Sequence, residues 1–190
     1  GWSLKELIRE LVTSQAYQCS TQALPSQQAQ DPDNLYFSRQ RVRRLELEAI
    51  LNSIAYWRSG QRPERPAERD AMISAVADYA QHFDGPSRFD LIDRRFASIS
   101  ASQALFLMNN RHTARKVAND LVDRLGLAEK SGNDDEDLQL LYRSVYQRAA
   151  SDVELAVVRQ LITTLAPDTT NRLGELATLL LCTNEAIYVE

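Results

Sequence analysis

Gln103-Ala104-Leu105-Phe106-Leu107-Met108-Asn109-Asn110 lies near the middle of a 190-residue chain and is its most apolar run ending in paired amides. Ser100 or Ser102 stands where a hydroxyl would cap a helix start. Val117, Ala118, Leu121, Val122 and Leu125 continue the apolar positions at helical spacing up to Gly126, a good closing residue. The spacing predicts a central helix, kinked or divided near His112-Thr113. An amide beside an apolar stripe needs hydrogen-bond partners if it is buried. Asn109 is therefore read as a tie from this helix to a neighbouring loop, with a polar group at a ligand cleft as the alternative.

Working outward, other helices follow from the same period. Ser3-Leu4-Lys5-Glu6 reads as a capping box, and Leu4, Leu7, Ile8, Leu11 and Val12 form one apolar stripe to about Tyr17. Cys19 to Asn34 is rich in Ser, Gln, Pro and Asp and reads as a long loop closed by Asp31-Pro32-Asp33-Asn34. A helix is expected from about Ser38 to Trp57, with Leu47, Ile50, Leu51, Ile54 and Trp57 facing the core. Arg44 and Glu48, four apart, would pair along it. Ser59 to Arg69 reads as a linker, Asp70 to Phe83 as a short helix, and Ser87 to Ile99 as a second irregular piece.

After Gly126, Asp134-Asp135-Glu136-Asp137 suits the positive end of a helix dipole. It lacks the central Gly and terminal Glu of an EF-hand loop. Leu138, Leu141, Tyr142 and Val145 form the next face. Ser151-Asp152-Val153-Glu154 is a second capping box opening a helix with Leu155, Val158, Leu161, Ile162 and Leu165. Leu173, Leu176, Ala177, Leu180 and Leu181 mark the last helix. No hairpin signal appears, so the expected fold is all-α, an irregular bundle of six to eight helices with two long loops. It is read as one helical domain over residues 1–190 and as a fragment of a larger protein.

Composition excludes several functions. Net charge is −4 with both signs interspersed, which leaves no electrostatic footprint for nucleic acid. No apolar run approaches the ~18 residues of a membrane span. With two histidines, His82 and His112, and no His-Glu-x-x-His, a His-based zinc site is not expected. Neither phosphate-binding glycine loop occurs, nor a Gly-x-Ser-x-Gly elbow. No Cys-x-x-Cys-His is present, so no cofactor is expected in this chain. Cys19 and Cys182 permit one disulfide without establishing it; two small, buried thiols is the plainer reading. Amides and carboxylates beside apolar helix faces remain, with one arginine: Arg44, Glu48, Gln103, Asn109, Asn184 and Glu185. Glu185 near a helix end opposes the dipole and needs a cationic partner, for which Arg43 or Arg44 is the candidate.

Five stretches occur in a familiar order. Trp2-Ser3-x-Lys5 with Arg9, Ser14 and Tyr17 is the first. Arg43-Arg44-Leu45-Glu46-x-Glu48 and Gln103 to Asn109 follow, then Leu141-Tyr142 with Arg148 and Glu154, then Asn184-Glu185-x-x-Tyr188-Val189. Together they resemble a planctomycete-type C-terminal domain of unknown function, found in proteins that often also carry a cytochrome c domain. Ala101 and Ala150 stand where that family usually has Pro, and Ala186 where it has Phe. The span between the second and third stretches is short. The resemblance implies an exported, extracytoplasmic multidomain setting, and no reaction. The chain is therefore read as a non-catalytic helical domain that packs against other domains of its parent or a protein partner. The alternative is the helical part of a cytochrome-linked redox or carbohydrate-active enzyme.

Overall fold

The structure, a computed structural model, describes residues 2–73, 76–85, 98, 101–109, 111–130, 134–165 and 171–189. It divides into two compact units, Gly1–Arg44 with Tyr188–Glu190, and Leu45–Ile187. Ten α-helical segments and one two-stranded sheet occur among the described residues, so the all-α expectation holds.

In the first unit, α1 spans Leu4–Thr13, and its Ser3 cap accepts the Glu6 N–H at 3.4 Å. The expected apolar stripe forms, but none of it is buried: Leu4, Leu7, Ile8, Leu11 and Val12 all face out. The presumed long loop contains a short helix, α2 (Pro25–Gln30), started by a proline whose fixed φ suits the first helical position. No helix begins at Ser38. Arg43–Arg44 is instead a short strand, β1, antiparallel to β2 (Tyr188–Val189), with Arg43 opposite Val189 and Arg44 opposite Tyr188. Arg44 is thus on a strand and Glu48 in the first turn of α3, so the two do not share a helix as expected.

The reason is local. Asn34 adopts φ 53°. Its side-chain amide donates to the Arg39 carbonyl at 2.8 Å and accepts the Arg39 N–H at 3.2 Å. The Asp31 carboxylate accepts the N–H groups of Leu35 (2.7 Å) and Tyr36 (3.1 Å). The Arg39 guanidinium donates back to the carbonyls of Asp31 and Pro32 at 2.9 and 2.7 Å. Side chains of Asn and Asp thereby take backbone groups that a helix would need. Burial pushes the Asp31 carboxyl up, but the hydrogen bonds from Leu35, Tyr36 and Ser38 outweigh it and hold it below the usual range.

The second unit holds α3 (Leu47–Ser59), α4 (Pro66–Met72), α5 (Val76–His82), α6 (Ala101–Asn109), α7 (Arg111–Arg124), α8 (Asp135–Tyr146), α9 (Asp152–Thr164) and α10 (Arg172–Leu181). A 3-10 turn at Asn184–Ala186 follows. The region read as a linker supplies α4, again started by a proline. Helices α3 and α7 end at Gly60 (φ 72°) and near Gly126 (φ 70°), a conformation that costs a side chain steric strain. The central helix expected to divide near His112-Thr113 is two segments, α6 ending at Asn109 and α7 beginning at Arg111; residues 110 and 86–97 lie outside the described set.

Helix α7 is the packing centre, set against both α3 and α10. Its Ala118, Leu121 and Val122 are fully buried, as are Leu138, Leu141, Leu173 and Ala177 on other helices. Arg58 of α3 pairs with Asp120 of α7 at 2.6 Å and also donates to the Met72 carbonyl. Arg124 Nε donates to the Trp57 carbonyl at 3.2 Å. Helix α10 approaches closely at Gly174: a Cβ there would stand 2.4 Å from Asn171 Nδ2 and 2.7 Å from Asn119 Oδ1. Those two amides bond each other at 3.0 Å, and Asn171 Oδ1 caps α10 through the Gly174 N–H at 2.8 Å. A small apolar cavity of about 20 Å³ remains, lined in part by Ile54, Trp57, Tyr79, Leu107 and Cys182. That is room for about one water molecule.

Candidate functional site

The most elaborate polar cluster among the described residues lies where α8 turns into α9. Helix α8 ends with Gln147 in the left-handed conformation (φ 61°), which throws the chain sharply aside and presents Arg148. Gln139 of α8 holds the returning chain, accepting the Ala150 N–H and donating to the Ala150 carbonyl, each at 2.9 Å. Ser151 then caps α9, and Glu154 completes the expected capping box by accepting the Ser151 N–H at 2.8 Å. The 3-10 turn after α10 brings Glu185 to the same place, 37 residues beyond Arg148 in sequence.

Arg148 is a two-sided clamp. Its Nε and Nη2 donate to the Glu185 oxygens at 2.6 and 2.8 Å. Its Nη1 and Nη2 donate to the Glu154 oxygens at 2.9 and 2.6 Å, and Nη1 also donates to the Ala149 carbonyl at 3.1 Å. Those five bonds match the five N–H groups a guanidinium has. The same guanidinium carbon sits 5.9 Å and 5.6 Å from the ring centres of Tyr142 and Tyr146, within cation–π range. The Tyr146 hydroxyl donates to the Leu180 carbonyl at 3.1 Å and lies 2.8 Å from Thr183 Oγ1. This fastens the end of α10 to α8.

The electrostatics follow from the contacts. Arg148 holds the Glu154 carboxyl down to about 2, helped by the Ser151 bonds and opposed by desolvation. The two carboxylates in turn raise Arg148 well above its ordinary value. Burial pushes the Tyr146 phenol up to about 12, and burial with the Glu154 charge raises Tyr142. At neutral pH Glu154 is ionised and the phenols are protonated. Every guanidinium proton of Arg148 is thus engaged within the protein. What it does chemically is join α8, α9 and the turn after α10.

A model of the family described as PSD1, protein of unknown function (DUF1553), matches residues 1–162. The chain belongs to that family. No curated protein and no solved structure matches it. The PSD1 match includes Arg148 and Glu154, whereas Asn184 and Glu185 lie beyond it.

Of the six polar positions singled out in this PSD1 sequence, one takes part in this cluster. Glu185 alone belongs to the clamp, and its arginine there is Arg148 rather than the Arg43/Arg44 pair. Gln103 is only 4% exposed and donates to the Ser98 carbonyl (3.0 Å) and hydroxyl (3.2 Å). Ser98 donates through Oγ and N to Asp84 at 2.7 and 2.8 Å, so Gln103 fastens α6 to the end of α5. Asn109 is exposed; the tie in the opening stretch is therefore Gln103. Asn184 is exposed and starts the 3-10 turn, its carbonyl accepting the Ile187 N–H at 2.9 Å. Glu48 is half-buried in the first turn of α3, and Arg44 is half-buried in β1.

Arg148 and Glu154 escaped selection as site residues. Six residues apart, they straddle a helix end, and no periodicity argument pairs them. The Ser151 capping box was the legible signal at this corner. Both cysteines are free thiols and half-buried. Among the described residues no group of three potential metal ligands gathers, and no helix is long and apolar enough to cross a membrane.

Proposed function

We propose that the chain is a non-catalytic helical domain of an exported multidomain protein, working by packing against neighbouring domains or a protein partner. It carries no cofactor of its own, and its setting is extracytoplasmic, as the resemblance to cytochrome-associated planctomycete-type proteins implies. The supporting observation is the surface of the first unit. Among its described residues only Asp31 and Asn34 are buried, and no apolar side chain is. Trp2, Leu7, Ile8, Leu11, Tyr36 and Phe37 are each more than half exposed.

A helix of 10 residues with no buried face is marginal in water, where isolated helices need roughly 12–15 residues. Covering Leu7, Ile8 and Leu11 would contribute on the order of 1.5–3 kcal/mol for each side chain fully buried. The closed Arg148 clamp points the same way, since its charges are spent on internal bonds. Amide exchange of residues 4–12 tests the reading, measured in the 190-residue chain alone and in the multidomain protein containing it. Protection rising at least about tenfold in the longer protein is expected. Equal exchange in both would overturn the proposal.

A further inference from the structure

The first unit also carries an open cleft of about 380 Å³, between the turn after α1 and the extended segment that enters β1. Its walls are latched together. Gln40 Nε2 donates to the carbonyls of Ala16 and Tyr17 at 3.1 and 2.9 Å, and the Gln40 N–H donates to the Ser20 carbonyl at 3.0 Å. The cleft therefore has fixed sides before anything enters it, which lowers the ordering cost of binding.

Arg41 and Arg43 both line it. They are two apart on an extended segment, where alternate residues share a side, and this puts both guanidiniums on one wall. Neither makes an ion pair among the described residues. No carboxylate of a described residue lines the cleft; the rest of the lining includes the neutral polar groups of Tyr17, Gln18 and Thr21. Residues 1–44 and 188–190 together carry six Lys and Arg against five Asp and Glu, in a chain of net charge −4. Several arginines of the other unit, by contrast, are answered: Arg58, Arg69, Arg115, Arg148 and Arg159 each have a carboxylate. Arginine presents a planar fork that matches carboxylate and phosphate oxygens two at a time.

We infer that this cleft, walled by Arg41 and Arg43, binds a small organic dianion of the dicarboxylate or phosphate-monoester class. The volume lies within the range of small-ligand sites, about 300–1,000 Å³. Two cations side by side, with no ion pair to a described residue, select a ligand with two negative charges over one with a single charge. The neutral amide and hydroxyl groups are placed to hold its uncharged polar atoms.

Titration calorimetry on the whole chain at low ionic strength tests the site, with succinate, glycerol phosphate and inorganic phosphate as probes and acetate as the monoanion control. Succinate or glycerol phosphate should bind with Kd on the order of 1 mM or tighter, and acetate at least tenfold more weakly. The stronger of the two identifies the ligand's source chemistry. Arg41→Gln and Arg43→Gln should each weaken binding about tenfold, Arg41→Lys should recover only part of it, and Arg65→Gln on the other unit should change nothing. Backbone amide shifts on dianion addition should fall at Gln18, Thr21 and Gln40. Both arginines are exposed, so the variants should keep the wild-type circular dichroism spectrum. The inference is overturned if no dianion binds, if Arg41→Gln/Arg43→Gln binds as well as wild type, or if acetate and succinate bind alike. Binding that emerges only in Glu190→Gln would mean that the chain's own carboxylate answers these arginines, and would overturn it as well.

Discussion

The two units are ordered by different forces. Leu45–Ile187 is organised by burial, with α7 carrying Ala118, Leu121 and Val122 at zero exposure. Gly1–Arg44 with Tyr188–Glu190 has no buried apolar side chain among its described residues, and its centre is a knot of hydrogen bonds around Asp31, Asn34 and Arg39. Both contain amphipathic helices. An apolar stripe is thus a statement about a helix face, and whether that face is covered is a separate fact. The first unit leaves its apolar helix face exposed, while the second buries most of its own.

This contrast predicts unequal responses to substitution. The largest is at Leu121, where Leu121→Ala should cost about 2–5 kcal/mol of stability, read from the midpoint of urea unfolding. A cost below about 1 kcal/mol would mean that the α7 core is looser than described. Gly174→Ala comes next. A methyl group at 2.4 Å from Asn171 Nδ2 must displace the amide pair that caps α10, at about 1–3 kcal/mol.

Asn34→Ala probes the first unit on its own terms. It removes bonds to the Arg39 N–H and carbonyl and a side chain tolerant of positive φ. The loss should be about 1–2 kcal/mol and local, visible as faster amide exchange at residues 35–39 with the Leu121 amide unchanged. Uniform acceleration across both units would erase the contrast.

The clamp gives a smaller and pH-dependent effect, under about 1 kcal/mol because the pair is partly exposed. Glu154 is lowered in the folded chain, from 4.5 to about 2. Its contribution is therefore complete above the unfolded value and is lost as the pH falls from there through the folded one. The urea midpoint should drop between pH 5 and pH 2 in the wild type and drop less in Glu154→Gln. The smallest effect is at Leu7. Leu7→Asp on the bare face of α1 should shift stability by no more than about 0.5 kcal/mol. A loss of several kcal/mol would show that this face is covered after all.

Much of the core of the second unit was readable, although Leu125, Leu161 and Leu165 are only half-buried. Leu47, Ile50, Leu51, Ile54 and Trp57 are all buried, as the 3.6-residue period requires, and so are Leu138, Leu141, Tyr142 and Val145. The opening stretch was read less well, since Leu105 is exposed and the buried positions are Gln103 and Leu107. The stretch from Ser38 misled because its charged residues fit a helix equally well, and nothing local showed that Asn34 would bond Arg39. Of the polar candidates, Glu185 was identified with the wrong arginine. Its partner stands 37 residues away in sequence, and only packing at the ends of α8 and α10 makes them neighbours.

Residue order was thus enough to settle helix faces, caps and the all-α class. Period, hydroxyl and proline act within a few residues and leave their mark locally. Tertiary structure alone decided which faces are covered, that Gln103 rather than Asn109 is the tie, and that Arg148 is closed between two glutamates. It also decided that Arg41 and Arg43 line one cleft. Those outcomes depend on which distant groups share one small volume, and no local spacing encodes that.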